Sequence, residues 1–173
     1  SNSAMSDPVT QRPSRIVVDL SAVGDNLRAI RAHVGVPVMG IVKANAYGHG
    51  LVPVARHLEA CGVDRLGVAF VEEGVALRCA GIRLPILVLG GIFGPQVADY
   101  LRHELEITVS SLDKLRQVEV VAEALGQRAR VHLKIDTGME RIGVHSYSCA
   151  GFIEAAAASR WCDVVGVYSH LAC

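Results

Sequence analysis

Aromatic side chains are scarce: Phe, Trp and Tyr together make up 5% of the 173 residues. A chain so poor in rings offers no stacking platform for single-stranded nucleic acid. An excess of charge of either sign is lacking too. Lys+Arg and Asp+Glu are 17 each, for a formal net charge of +0, so nothing draws the chain to a phosphate backbone or an anionic membrane surface. No apolar run reaches the roughly 18 residues of a membrane span, and the N-terminal segment has no apolar signal core. Five cysteines (Cys61, Cys79, Cys149, Cys162 and Cys173) are scattered without CxxC spacing. That excludes a disulfide framework or a zinc-ligand set from the first readings. It points to reduced thiols, packed as small buried hydrophobes, in a cytoplasmic protein.

What is present is a βα repeat. The chain is 51% hydrophobic and 20% charged, the balance of one globular domain with a sizeable core. Residues 1–5 read as a cloning scar, 6–14 as a flexible N-terminus and 15–173 as the folded domain. After an extended 15–20, Val23, Leu27, Ile30 and Val34 mark one helix face, with Ser21 as its cap. Apolar runs at 36–42, 66–70, 85–89, 105–109, 130–135 and 164–168 are rich in Val, Ile and Leu, as parallel strands covered on both faces should be. Helical patterns separate them at 51–61, 71–80, after Pro95 (with Val97, Leu101 and Leu105), at 112–125 and at 148–159. Gly62, Gly81 and Gly126 punctuate three of them.

Six strands and five helices with right-handed crossovers fit a doubly wound sheet or a (β/α)₈ barrel. The first βα junction lacks GxGxxG, which weakens the nucleotide-binding alternative. A complete barrel takes about 250 residues, so as a barrel this one is two βα units short.

In parallel α/β folds reactive groups gather at the C-terminal ends of strands. Lys43 follows the first apolar run directly, where partial desolvation favours the neutral amine and Schiff-base chemistry. Ala44, Ala46 and Gly48 leave room for a flat ring. In the fifth run Val131, Leu133 and Ile135 alternate with His132, Lys134 and Asp136. In a barrel the apolar set meets the helices and Lys134 points inward. There it needs an ion pair, with Asp136 or another carboxylate, or a chemical change. The sixth run ends at His170, which read alone is a satisfied polar group. Leu89 reads equally as core or as pocket lining.

Three segments carry a sharper signal: VKANAYGHG (42–50), KIDTGMERIG (134–143) and SHLA (169–172). In this order they resemble the pyridoxal-phosphate (PLP) alanine racemases, over residues 13–173 and about the first half of that family's length. The resemblance implies that Lys43 bears the cofactor and acts as a base on one substrate face, and that Tyr47 binds its phosphate. It implies that His170 packs by the ring, with Leu89 beside the pocket. It also implies that Lys134 is carbamylated and orients Arg141, which meets the substrate carboxylate. Glu140 stands where many family members have glycine.

The family is a homodimer, and a C-terminal β domain supplies the second base to the partner subunit. It interconverts L- and D-alanine for peptidoglycan. The fold implied is an incomplete parallel (β/α) barrel of about six units. Other readings stay open: a racemase of serine or of broad specificity, a non-catalytic PLP-carrier barrel, or an inactive fragment of a racemase.

Overall fold

Valine- and isoleucine-rich runs bounded by helix caps give short strands, each followed by a helix. The computed structural model describes residues 16–172; the readings of 1–5 and 6–14, Arg15 and Cys173 lie outside them. In chain order the elements are α1 (Leu20–Val34), β1 (Met39–Ile41), α2 (Leu51–Ala60), β2 (Arg65–Val68), α3 (Val71–Cys79) and β3 (Ile86–Val88). They continue with α4 (Val97–Arg102), β4 (Glu106–Val109), α5 (Leu112–Leu125), β5 (Ala129–Asp136), β6 (Val144–His145), α6 (Ala150–Ala157) and β7 (Cys162–Tyr168).

All pairings are parallel. Neighbours follow sequence order from β1 to β5, with β7 next to β5 and the two-residue β6 bridging Ile135 and Asp136. Consecutive order without reversal is the order of a barrel and not of a doubly wound sheet. The incomplete parallel barrel expected from the sequence is therefore the fold. It is open between β1 and β7, each of which has one neighbour among the described residues. Ile41, Val164 and Val167 are left exposed along those two strands.

Alternation along each strand sorts the two faces. Leu66, Val68, Ile86, Val88, Ile107, Val109, Val131 and Leu133 are essentially fully buried in the core beneath the helices. Met39, Ile41, Leu87, His132, Lys134 and Tyr168 line the concave inner face. The inner face of β4 carries Glu106 and Thr108, both buried, inside a run whose other members are apolar.

The structure corrects several local expectations. Asp19, not Ser21, caps α1: its carboxylate accepts from the amides of Ser21 (2.9 Å) and Ala22 (3.3 Å), and Ser21 sits in the first helical turn. Ile30 and Val34 are exposed, and the buried contacts of α1 come from Gly24 and Leu27. The segment at Pro95 is a 3₁₀ turn (Gly94–Gln96) leading into α4, which ends before Leu105. A 3₁₀ turn, Ser146–Ser148, likewise precedes α6. Of the described cysteines only Cys162 is buried; Cys79 is exposed, and Cys61 and Cys149 are half-buried. No helix among the described residues is long and apolar enough to cross a membrane.

Candidate active site

At the C-terminal ends of the strands lies a cleft of about 460 Å³, within the size range of small-molecule pockets. It brings together Lys43, Tyr47, Leu89, Lys134, Arg141 and His170, all six side chains singled out from sequence, with Tyr168 behind them. Apolar walls come from Met39, Ile41, Leu87 and Leu89. Gly67 lets these side chains pack directly on β2, because a Cβ there would meet Ile41 Cδ1 at 2.7 Å and Met39 Sδ at 3.2 Å.

Lys43 opens an unusual turn. Ala44, Asn45, Ala46 and Tyr47 have φ of 52, 56, 52 and 53°, a left-handed turn without a glycine. Such a conformation costs about 1–2 kcal/mol per residue, so the surroundings must impose it. Within the turn the Ala46 amide donates to Val42 O (2.8 Å), and Gly48 closes it with bonds to Ala44 O and Asn45 O. The Asn45 side chain accepts from the Leu51 amide (2.8 Å), joining the turn to α2. Ala46 is buried, Lys43 half-buried and Tyr47 61% exposed at the mouth.

Lys134 is 6% exposed, and no carboxylate of the described residues pairs with it. The expected pairing with Asp136 does not form. Asp136 instead accepts from the Gly138 (2.8 Å) and Glu140 (3.1 Å) amides. Those bonds hold its carboxyl below the usual range and shape the loop that carries Arg141. Burial first, then the Arg141 charge, pushes the Lys134 amine below its ordinary 10.5. Its Nζ lies 5.6 Å from the centre of the Tyr168 ring. Thr108 Oγ1 gives its proton to Val88 O (2.7 Å), so the Tyr168 hydroxyl, 2.8 Å away, must donate to Thr108. Burial raises the Tyr168 pKa, which keeps the phenol neutral.

Below Lys134, His132 Nε2 meets Glu106 Oε2 at 2.7 Å, and Arg65 and Arg130 also pair with Glu106. Burial alone would raise the Glu106 pKa; the bonds from His132 and Arg65 outweigh it and hold the group below its ordinary value. Gly166 is required over the imidazole, because a Cβ there would come within 2.3 Å of His132 Nδ1. Sequence reading missed Glu106, Thr108 and Tyr168 as parts of this interior. Period-two alternation extended through β4 and β7 would have found them.

The cleft thus presents cationic Arg141 and the Lys43 and Lys134 amines around an apolar slot. This arrangement suits a flat ligand bearing anionic groups.

A family model described as the alanine racemase N-terminal domain matches residues 18–173. The chain belongs to that family. It is 43% identical over 158 residues to the alanine racemase of Desulforamulus reducens, covering 90% of this chain and 43% of that protein. Among solved structures, alanine racemase from D-cycloserine producing Streptomyces lavendulae superposes with a TM-score of 0.85 at 39% identity, over 90% of this chain and 42% of that one. Histidine racemase from Leuconostoc mesenteroides subsp. sake gives 0.83 at 27% identity, over 89% and 42%. The chain therefore spans less than half the length of these relatives, and the match to the racemase N-terminal domain lies over the barrel strands that build the cleft.

Proposed function

We propose that this chain is the lysine-bearing barrel portion of a PLP-dependent alanine racemase. The observation that carries the reading is the convergence of Lys43, Lys134 and Arg141 in one apolar-walled cleft. The residues fit the cofactor: Met39, Ile41, Leu87 and Leu89 give apolar walls for a flat ring, and amines and a guanidinium surround it for phosphate and carboxylate. Lys43 would hold PLP covalently, Tyr47 would reach its phosphate, His170 would flank the ring and Leu89 would wall it. Bound there, PLP withdraws electrons from the substrate α-carbon and makes its proton acidic. Lys43 would move that proton on one face. Arg141 would fix the substrate carboxylate with its planar fork.

The Lys134 amine, buried and without a carboxylate partner among the described residues, is suited to add CO₂ once deprotonated, releasing a proton and becoming an anion that would pair with Arg141. Family resemblance supports a cytoplasmic homodimer that supplies D-alanine for peptidoglycan. The second reading is a racemase of another or broader amino-acid range. The likeness to a histidine racemase favours it.

The chain has three lysines, Lys43, Lys114 and Lys134, and Lys114 is engaged by Ile92 O and Gln117 Oε1. Incubation with PLP, borohydride reduction and peptide mass spectrometry should therefore place the adduct on Lys43 and lose it in Lys43→Ala. An adduct confined to the other two lysines, or none, would overturn the proposal.

A further inference from the structure

We infer that Glu73 is a positioning residue for Lys43, a role that rests on the PLP reading for its consequence but not for its geometry. Glu73 lies in the first turn of α3 and is half-buried. Its Oε1 accepts from the Ala44 amide at 2.7 Å. Its Oε2 accepts from the amides of Ala69 (2.7 Å) and Phe70 (3.2 Å). The Phe70 bond is a familiar helix-start contact, a glutamate reaching back from the third helical position to the residue before the helix. The Ala44 bond is not. It crosses from the first turn of α3 to the segment after β1 and takes hold of the peptide unit that joins Lys43 to Ala44.

That peptide is the point of greatest leverage. Its N–H direction is set by ψ of Lys43 and φ of Ala44, so fixing it orients the Lys43 Cα–Cβ bond relative to the cleft. Four consecutive non-glycine residues in the left-handed region begin there. The other bonds of the turn are made within 42–51, apart from the strand bond of Val42 to Gly67 O. Among the described residues Glu73 supplies the one side-chain hydrogen bond from another element. Three N–H donors on one carboxylate form charge-assisted bonds, the strong class. A glutamine cannot reproduce them, because one of its two arms presents N–H where an acceptor is needed.

The test compares this chain with Glu73→Gln by residue-resolved amide hydrogen exchange, together with PLP and borohydride labelling. In the unmodified chain the Ala44 amide should be protected although it lies outside any strand. In Glu73→Gln its exchange should accelerate by about tenfold or more, the effect of losing one charge-assisted bond. The Lys43 share of the trapped adduct should fall, while β4 and β5 amides stay protected. If Glu73 serves only to start α3, the variant will lose thermal stability and protection at Ala69 and Phe70. Ala44 exchange and Lys43 labelling in the folded chain will then be unchanged, and the inference is overturned. An unprotected Ala44 amide in the unmodified chain overturns it without any variant, should Glu73→Gln not fold. Absence of a Lys43 adduct in the unmodified chain would instead sink the PLP reading, and the amide at Ala44 would still decide whether the clamp exists.

Discussion

Replacing Lys134 by methionine should stabilise this chain at neutral pH, although Lys134 is a proposed functional residue. Lys134 is 6% exposed, has no carboxylate ion pair among the described residues, and sits near the like charges of Arg141 and Lys43, which the attraction of Asp136 offsets only in part. An uncompensated buried charge costs about 3–5 kcal/mol. The Tyr168 ring at 5.6 Å returns about 2 kcal/mol at most. The net penalty that an apolar side chain of similar length removes is about 1–3 kcal/mol. At about 2–4 °C per kcal/mol for a domain of this size, Tm should rise by several degrees.

The pH dependence follows from the same burial. The native amine is depressed below the ordinary 10.5. Below its native pKa both states are protonated and the full penalty is present. Between that pKa and 10.5 the unfolded chain binds more protons, so native stability climbs with pH. The gap between Lys134→Met and the unmodified chain should therefore close as pH approaches 10.5. Urea unfolding in CO₂-free buffer across this range measures it. Added bicarbonate should stabilise the unmodified chain alone, by converting the cation to a carbamate beside Arg141. A Lys134→Met chain less stable at pH 7, or a gap that does not change with pH, would refute the reasoning.

Two further substitutions test the backbone. Glu140 holds φ of 53°, so Glu140→Gly should relieve left-handed strain and raise unfolding free energy by about 0.5–1 kcal/mol after the entropic cost of glycine, read by urea titration. Gly166→Ala should displace the His132 ring from Glu106 and cost about 1.5–3 kcal/mol for the lost bond to a charged group, the carboxylate keeping Arg65 and Arg130; an unaltered stability, or an unshifted His132 imidazole resonance, would show that the ring has room to move.

The sheet was legible because each strand is a run of apolar residues between helix signals, and because parallel strands joined by helices admit few topologies. The cleft was legible because Lys43, Lys134 and His170 all lie at or near strand ends, and strand ends in such folds converge. The left-handed turn was not, for a physical reason. Ala44 and Ala46 favour right-handed helix, and nothing local announces a turn of the opposite hand bonded to Val42, Asn45 and Glu73. Glu73 reads on its own as a solvated helix residue. Val144–His145 is too short to carry a pattern. Asp19 and Ser21 are both competent caps two residues apart, and hydrophobic phase does not choose between them. The Lys134–Asp136 pairing failed because two residues on one strand face compete with the loop ahead. The Gly138 and Glu140 amides had already claimed the carboxylate.

The interior of the cleft also weighs the racemase against a PLP carrier that performs no turnover. Holding a cofactor needs an amine for its aldehyde and a site for its phosphate, which Lys43 and the mouth around Tyr47 could supply alone. Nothing in that task requires a second lysine buried without a carboxylate ion pair among the described residues, at a net cost of about 1–3 kcal/mol, or an arginine brought beside it by a loop pinned to Asp136. A fold keeps such a group where its charge is used. Under the proposed function, the use that would remove the cost is conversion of the amine to an anion paired with Arg141, which would fix the guanidinium toward the slot. A fixed guanidinium there matches a carboxylate borne by the molecule under reaction, and a carrier has no such molecule to orient. The energetic penalty at Lys134 thus favours the proposed chemistry on an amino acid over a carrier role.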